Sequence, residues 1–178
     1  MEYQYELSKD RLKKEVLEKL VSWLESRNFE VVELSDKVII KGEDFYFFYR
    51  FENVVRALEI GFDLEDAKNI VLSDWELLEI DVKKAANRDI SHYRRIASRI
   101  IGESGKFIRY IEKISGARMI LKDKKLYILG DRISSYSAYE GMKRLISGTP
   151  HSKIEDIIHR TKRHLKNKDK EAEYRLNF

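Results

Sequence analysis

The stretch IIGESGKF, Ile100 to Phe107, decides how this chain is read. Two isoleucines precede two glycines three positions apart, and a lysine follows. Glycine reaches backbone conformations that other residues avoid, so Gly102 and Gly105 predict a tight elbow with open main chain. Lys106 adds a positive charge at the same point. A nucleotide-binding P-loop would need G-x-x-x-x-G-K-[ST] after a strand. Counting back from Gly105-Lys106, its leading glycine falls on Ile100 and its hydroxyl on Phe107, and the residues before it carry helical periodicity. The pattern that remains is helix–GxxG–helix. It reads either as a clamp, where amides opening the second helix favour phosphate, or as a corner in which the glycines serve geometry alone.

The flanking residues favour the clamp. Before the loop, Ile90, Tyr93, Ala97 and Ile100 form one apolar stripe, and Arg88, His92, Arg95 and Arg99 form a second, basic one. After it, Phe107, Ile111 and Ile114 are expected to face inward, while Lys106, Arg109 and Lys113 share another face. A solvated helix face mixes signs, as residues 9–27 do; these two faces do not. The pattern points to nucleic acid, with phosphate as the contact.

Charge across the chain agrees. The formal net charge is +4, but residues 1–75 carry 11 Lys+Arg against 17 Asp+Glu, and residues 76–178 carry 24 against 14. The halves therefore stand at −6 and +10, and the basic half is the one suited to a polyanion. With 43% hydrophobic and 37% charged residues and one proline, the composition is that of a globular protein. Cysteine is absent, which excludes disulfides and thiolate catalysis. No basic start followed by an apolar core opens the chain, and no run suggests a membrane span. A cytoplasmic protein without cofactor is the expectation.

The pattern of elements repeats. In the first half, YQYEL (3–7) reads as a strand and residues 9–27 as a helix. FEVVEL (29–34) and KVIIKG (37–42) read as a hairpin, residues 43–62 as a helix stopped at Gly61, and LEDAKNIVL as a short helix capped by Asp63. In the second, WELLEIDV (75–82) reads as a strand and residues 87–101 and 106–114 as helices. ARMILK (117–122) and KLYILG (125–130) form a hairpin, Asp131 caps a helix to about Leu145, and a last helix runs from Ser152 to about Asn167. The expected domains are 1–74, 75–168 with its terminal helix, and a frayed tail, 169–178.

The segment RRIASRIIGESGKFIRYIEKISGARMILKDKKLYILGD, Arg94 to Asp131, resembles a type I KH domain with the signature [IV]-I-G-x-x-G-[KR]. LISGTPHSKIEDIIHR and NVVRALEIGFDLEDAKNIV resemble the ending and the linker of one KH subfamily. Together, over about residues 53–166, the chain resembles archaeal KH proteins of the partner-of-Nob family of small-subunit ribosome assembly factors. The resemblance implies an α+β fold of two tandem type I KH-like units (β-α-α-β-β-α) plus a C-terminal helix. It implies a non-enzymatic RNA-binding protein of ribosome biogenesis and rRNA processing. Such a protein would hold single-stranded RNA in the 3′ region of small-subunit rRNA, within the pre-ribosomal particle and alongside the Nob endonuclease.

Carried over by position, Gly102, Glu103, Ser104 and Gly105 would be the clamp, with Lys106 beside it. Ile100 and Ile101 would floor the groove, and the edge strand from Arg118 to Leu121 would face the bases. Arg95, Arg99, Arg109 and Lys113 complete the expected interface. Two residues depart from the family pattern: Ser98 stands where a glycine is common, and Phe107 where threonine is usual, free to pack inward or to narrow the entry.

The first unit departs further. One unbroken helix separates its first two strands, and the first glycine of the chain is Gly42. It reads as a degenerate KH unit that supports the second or offers a protein-binding face, and the chain could then act mainly as an interaction scaffold with incidental RNA contact. The run FYFFYRF (45–51) is such a face or, on the favoured reading, packed core. His92, His151, His159 and His164 lack metal-ligand spacing and read as structural or phosphate-contacting. RTKRHLKNK (160–168) is a basic end to the last helix, touching phosphate or complementing the helix terminus.

Overall fold

The computed structural model describes residues 2–87 and 89–176. Arg88, placed above on the basic stripe, lies outside them. The chain divides into two compact units, Met1–Asp74 and Trp75–Phe178.

In the first unit, strand β1 (Tyr3–Ser8) leads through a 3-10 turn, Lys9–Arg11, to helix α1 (Lys14–Ser26). Strands β2 (Glu30–Glu33) and β3 (Lys37–Gly42) follow, then helices α2 (Phe45–Ile60), α3 (Leu64–Ala67) and α4 (Asn69–Leu72). The antiparallel sheet has the order β1-β3-β2, with Leu7 opposite Val38 and Val31 opposite Ile40. The helix expected over 9–27 starts late because Leu12 and Lys13 are extended (φ −122° and −62°, ψ 149° and 143°). That break lets Leu12 turn into the core, where it is buried. The expected helix after Asp63 splits at Lys68, and the Asp63 side chain caps nothing; its carbonyl instead accepts from the amides of Asp66 and Ala67. Gly61, at φ 117°, ends α2 as expected.

Of the aromatic run, Phe47 and Phe51 are buried, whereas Phe45 and Tyr49 lie exposed with their rings stacked at 6.1 Å. The packed-core reading thus holds for one face of α2, and the other face is exposed. Arg11 joins the turn to the same helix. Its Nη2 donates to Glu52 at 2.8 Å and its Nε to Glu59 at 2.5 Å. Tyr5, which bonds Glu52 and accepts from Arg11, is pushed up to about 12 by burial and by the neighbouring carboxylate.

In the second unit, strand β4 (Glu76–Asp81) runs into a one-turn helix, α5 (Val82–Ala85), then α6 (Ile90–Ile101), a 3-10 turn at Glu103–Gly105, and α7 (Lys106–Ser115). Strands β5 (Arg118–Lys122) and β6 (Lys125–Gly130) and helices α8 (Arg132–Ile146) and α9 (His151–Leu176) complete it. The sheet order β4-β6-β5 repeats that of the first unit. Ile128 lies between Leu78 and Met119, and Asp123 and Lys124, both left-handed (φ 49° and 64°), make the two-residue turn of the β5–β6 hairpin. The strand expected to reach Val82 stops at Asp81, whose carboxylate caps α5 through the amide of Lys84. Helix α6 begins at Ile90 rather than Asn87, because Asn87 is left-handed (φ 51°) and Asp89 caps the amide of His92 at 2.6 Å. Asp131 caps α8 as expected, accepting from Ser134 N at 2.9 Å.

Ile96, Ile100, Ile111, Met119, Ile128, Met142, Ile154 and Ile158 share one core. Full burial of each such side chain contributes about 1.5–3 kcal/mol. The apolar stripe expected on α6 is displaced: Ile96 is inside, and Ile90 is 62% exposed. Helices α8 and α9 meet at Gly141, where a Cβ would lie 2.7 Å from Ile158 Cγ1. Helix α9 also continues to Leu176, past the expected end near Asn167. No glycine or proline stops it, and an Arg132–Asp169 ion pair ties its later turns to α8. Among the described residues, no helix is long and apolar enough to cross a membrane.

Candidate nucleic-acid interface

Helix α6 must stop at Gly102. At φ 70° and ψ −179° the residue occupies a region closed to side chains, and a Cβ there would meet Phe107 Cβ at 2.4 Å. Ser104 (φ 50°, ψ 30°) and Gly105 (φ 75°, ψ 11°) then take left-handed conformations, which swing the chain into α7.

Hydrogen bonds set the direction of each peptide in the elbow. The Gly102 carbonyl accepts from Gly105 N at 3.3 Å, and the Glu103 carbonyl accepts from Lys106 N. A trans peptide points its N–H opposite its C=O. The amides of Glu103 and Ser104 therefore point out of the turn, making a small anion-binding concavity. No side chain caps the N-terminus of α7, whose first amide, that of Lys106, is taken by the Glu103 carbonyl. Glu103, Ser104 and Lys106 are exposed, with Lys106 Nζ 3.9 Å from Glu103.

Arg109 and Arg99, both expected at the interface, hydrogen-bond to main-chain carbonyls. Arg109 lies back over the elbow: its Nη2 donates to the Ser104 carbonyl at 2.7 Å, and a Cβ on Gly105 would meet its Nη1 at 2.7 Å. It fixes the carbonyl side of the loop and stays exposed. Arg99, expected on the outward stripe, is turned to a structural task. Its guanidinium donates to the carbonyls of Leu145 at 3.1 Å and Thr149 at 2.6 Å, satisfying the C-terminal end of α8. Helical periodicity gave the side of α6 it occupies, but not that a carbonyl cluster waits there.

Of the two isoleucines, Ile100 is wholly buried and Ile101 is 40% exposed, so only Ile101 offers apolar surface beside the loop. Arg95 and Lys113 are exposed. Arg118 is exposed on β5, the edge strand, where Met119 and Leu121 turn towards the core. Phe107 packs inward, its ring centroid 4.0 Å from that of His151. His151 Nε2 in turn bonds the Arg99 carbonyl at 2.9 Å. His151, read from the sequence as structural or phosphate-contacting, thus props the elbow from outside the motif; the Pro150-His151 pair opening a helix was the signal available.

Helix α7 is held at both ends of its α9 side. Tyr110 bonds Glu155, and Lys162 Nζ donates to the Ile114 carbonyl at 2.8 Å. Burial holds the Lys162 ammonium below the usual lysine range, with the nearby Lys166 acting in the same sense. Among the described residues, no three His, Asp or Glu side chains gather as metal ligands.

A three-stranded antiparallel sheet in the order β4-β6-β5, with a helix–GxxG–helix corner between its first two strands, defines the second unit as a type I KH domain. Residues 77–163 match the family model KH_PNO1_2nd, described as a eukaryotic type KH-domain of type I. The chain carries a PNO1-like KH domain as its second unit. It is 31% identical over 118 residues to a KH domain-containing protein of Methanocaldococcus jannaschii, covering 66% of this chain and 52% of that one. It is 33% identical over 122 residues to the pre-rRNA-processing protein PNO1 of Yarrowia lipolytica, covering 68% and 44%. The chain thus spans about half the length of these curated relatives.

Among solved structures, a protein of unknown function from Aeropyrum pernix superposes with a TM-score of 0.74 at 22% identity, over 98% of both chains. Dim2p from Pyrococcus horikoshii gives 0.67 at 24% identity, over 90% of this chain and 99% of that one. The chain matched in an a/eIF2alpha–aDim2p–rRNA complex from the same organism gives 0.69 at 24%, over 92% and 95%. These likenesses show the fold.

Proposed function

We propose that the second unit holds single-stranded RNA at the Gly102–Gly105 elbow, and that the protein acts without catalysis in assembling the small ribosomal subunit. The outward amides of Glu103 and Ser104, beside uncapped α7, carry this reading. They offer fixed donors at a point where glycine leaves room for a sugar–phosphate backbone, and Lys106 and Lys113 surround that point with charge. KH loops of this kind clamp about four nucleotides. The rRNA named in the archaeal complex and the pre-rRNA-processing names of relatives support rRNA as the ligand. Small-subunit rRNA and its 3′ region, the Nob endonuclease as a partner and a cytoplasmic setting belong to the same proposal. Arg95, Ile101, Arg109 and Arg118 extend the contact surface, and Arg99 and Ile100 act from beneath it.

The test replaces Glu103 and Ser104 together by aspartate, which adds one carboxylate at Ser104 and draws the existing one at Glu103 in towards the main chain, against the phosphate path. RNA affinity should fall about tenfold or more, each factor of ten being about 1.4 kcal/mol, while the thermal midpoint stays put. Undiminished affinity in the folded variant defeats the clamp. The scaffold reading keeps one observation of its own, the exposed Phe45–Tyr49 stack on the acidic unit. It predicts RNA binding whose dependence on salt is shallow, whereas phosphate contacts make it steep.

A further inference from the structure

Helix α9 is longer than its packing requires. Ile154 and Ile158 are buried and Leu165 half-buried along its inner side. Past Leu165 the helix runs on for 11 residues to Leu176. Its outer side carries His159, Arg163, Lys166 and Lys170 at steps of four, three and four, all exposed. Of the neighbouring acids, Glu155 bonds Tyr110 and also reaches His159 of the stripe at 3.5 Å, while Asp169 is committed to Arg132 on α8. Asp156 stands a turn earlier, ahead of the stripe.

The position of this stripe relative to the elbow follows from three contacts. Phe107 meets His151, Tyr110 meets Glu155, and the Ile114 carbonyl meets Lys162. Helices α7 and α9 therefore run side by side in the same direction, both starting at the elbow. With about 100° of rotation per residue, Lys106, Arg109 and Lys113 lie on the side of α7 away from Ile111. His159, Arg163, Lys166 and Lys170 lie on the side of α9 away from Ile154 and Ile158. Those three isoleucines share one core, so both basic faces open away from it on the same side.

We infer that this two-helix surface is a second phosphate-binding site, which takes the RNA backbone as it leaves the clamp. The stripe on α9 starts two turns beyond His151, and from His151 to Lys170 the helix rises about 28 Å at about 1.5 Å per residue. That reaches well past the roughly four nucleotides of the elbow. Lys162 is not part of the site, since its ammonium is spent on α7. The inference rests on the RNA-clamp reading.

The experiment uses the full chain with Arg163, Lys166 and Lys170 all changed to glutamine, a good helix former. Two unstructured RNA oligomers are titrated over a range of salt: one of about four nucleotides, filling only the clamp, and one about three times longer. The long oligomer should bind about tenfold more weakly, and its slope of log K against log salt should fall by about 2, at roughly 0.7 per phosphate contact. The short oligomer should bind as before, and the doubly conservative K166R/K170R variant should keep full affinity. Long-oligomer affinity and slope unchanged in the glutamine variant, with its helical circular dichroism intact, overturns the site. Equal weakening of both oligomers overturns it too, since the effect would not belong to RNA beyond the clamp. Failure of the clamp itself appears separately, as short-oligomer binding that survives the two loop aspartates.

Discussion

The two units share a sheet order, β1-β3-β2 in one and β4-β6-β5 in the other, yet differ at the point where the second exposes its main chain. Between the first two strands of the acidic unit there is a 3-10 turn and one helix. The basic unit places one-turn α5 and then α6 and α7 there, and turns the last two through Gly102 and Gly105. Their cations differ in the same sense. Arg11 is locked between Glu52 and Glu59, and Lys37 and Lys41 bond Glu6 and Glu30 across strands. In the basic unit, Lys113, Arg163 and Lys166 stay exposed. A shared scaffold does not make a shared surface: these cations are paired in the first unit and exposed in the second.

The largest effect that would break this contrast is at Gly102. Gly102→Ala forces a methyl group to within 2.4 Å of Phe107 Cβ in a backbone region only glycine enters. We expect about 1–3 kcal/mol of lost stability, read from the denaturant midpoint, and RNA affinity down more than tenfold. No site in the first unit should match that on RNA. Arg99→Ala comes next: it strips the two carbonyls at the end of α8, costing about 2 kcal/mol. Arg99→Lys should recover only part, since one ammonium replaces a fork that reaches both oxygens. Arg11→Ala should cost about 1 kcal/mol, reduced by its partial exposure, and leave RNA titrations unmoved; a loss of RNA affinity there would tie the acidic unit to binding.

The smallest effect concerns Tyr5. Its folded value near 12 lies above the ordinary 10, so the folded state keeps its proton where the unfolded chain releases it. The stability this adds is full below pH 10 and declines as pH rises through about 12. Tyr5→Phe should flatten that part of an alkaline melting series.

Local signals were legible in the sequence. The two hairpins, the stop at Gly61, the cap at Asp131 and the GxxG elbow all stand where residue chemistry put them. What escaped depends on residues distant in the chain. Arg99 is 46 and 50 residues from the carbonyls it holds, and Phe107 finds His151 across the fold. The burial of Ile96 in place of Ile90 is a question of helix phase, decided by the packed neighbours rather than by spacing alone. Asn87, left-handed before the α6 cap, displaced a helix start that periodicity had placed there.

The bare Cα at position 141 reaches further than its size. Ile158 sits in the notch it leaves, so the terminal rod cannot spin about its long axis without expelling that side chain. Since a slip of one residue would turn the rod by about 100°, the notch fixes the azimuth of everything outboard of it. The charged spoke beyond Leu165 is aimed by a hydrogen atom.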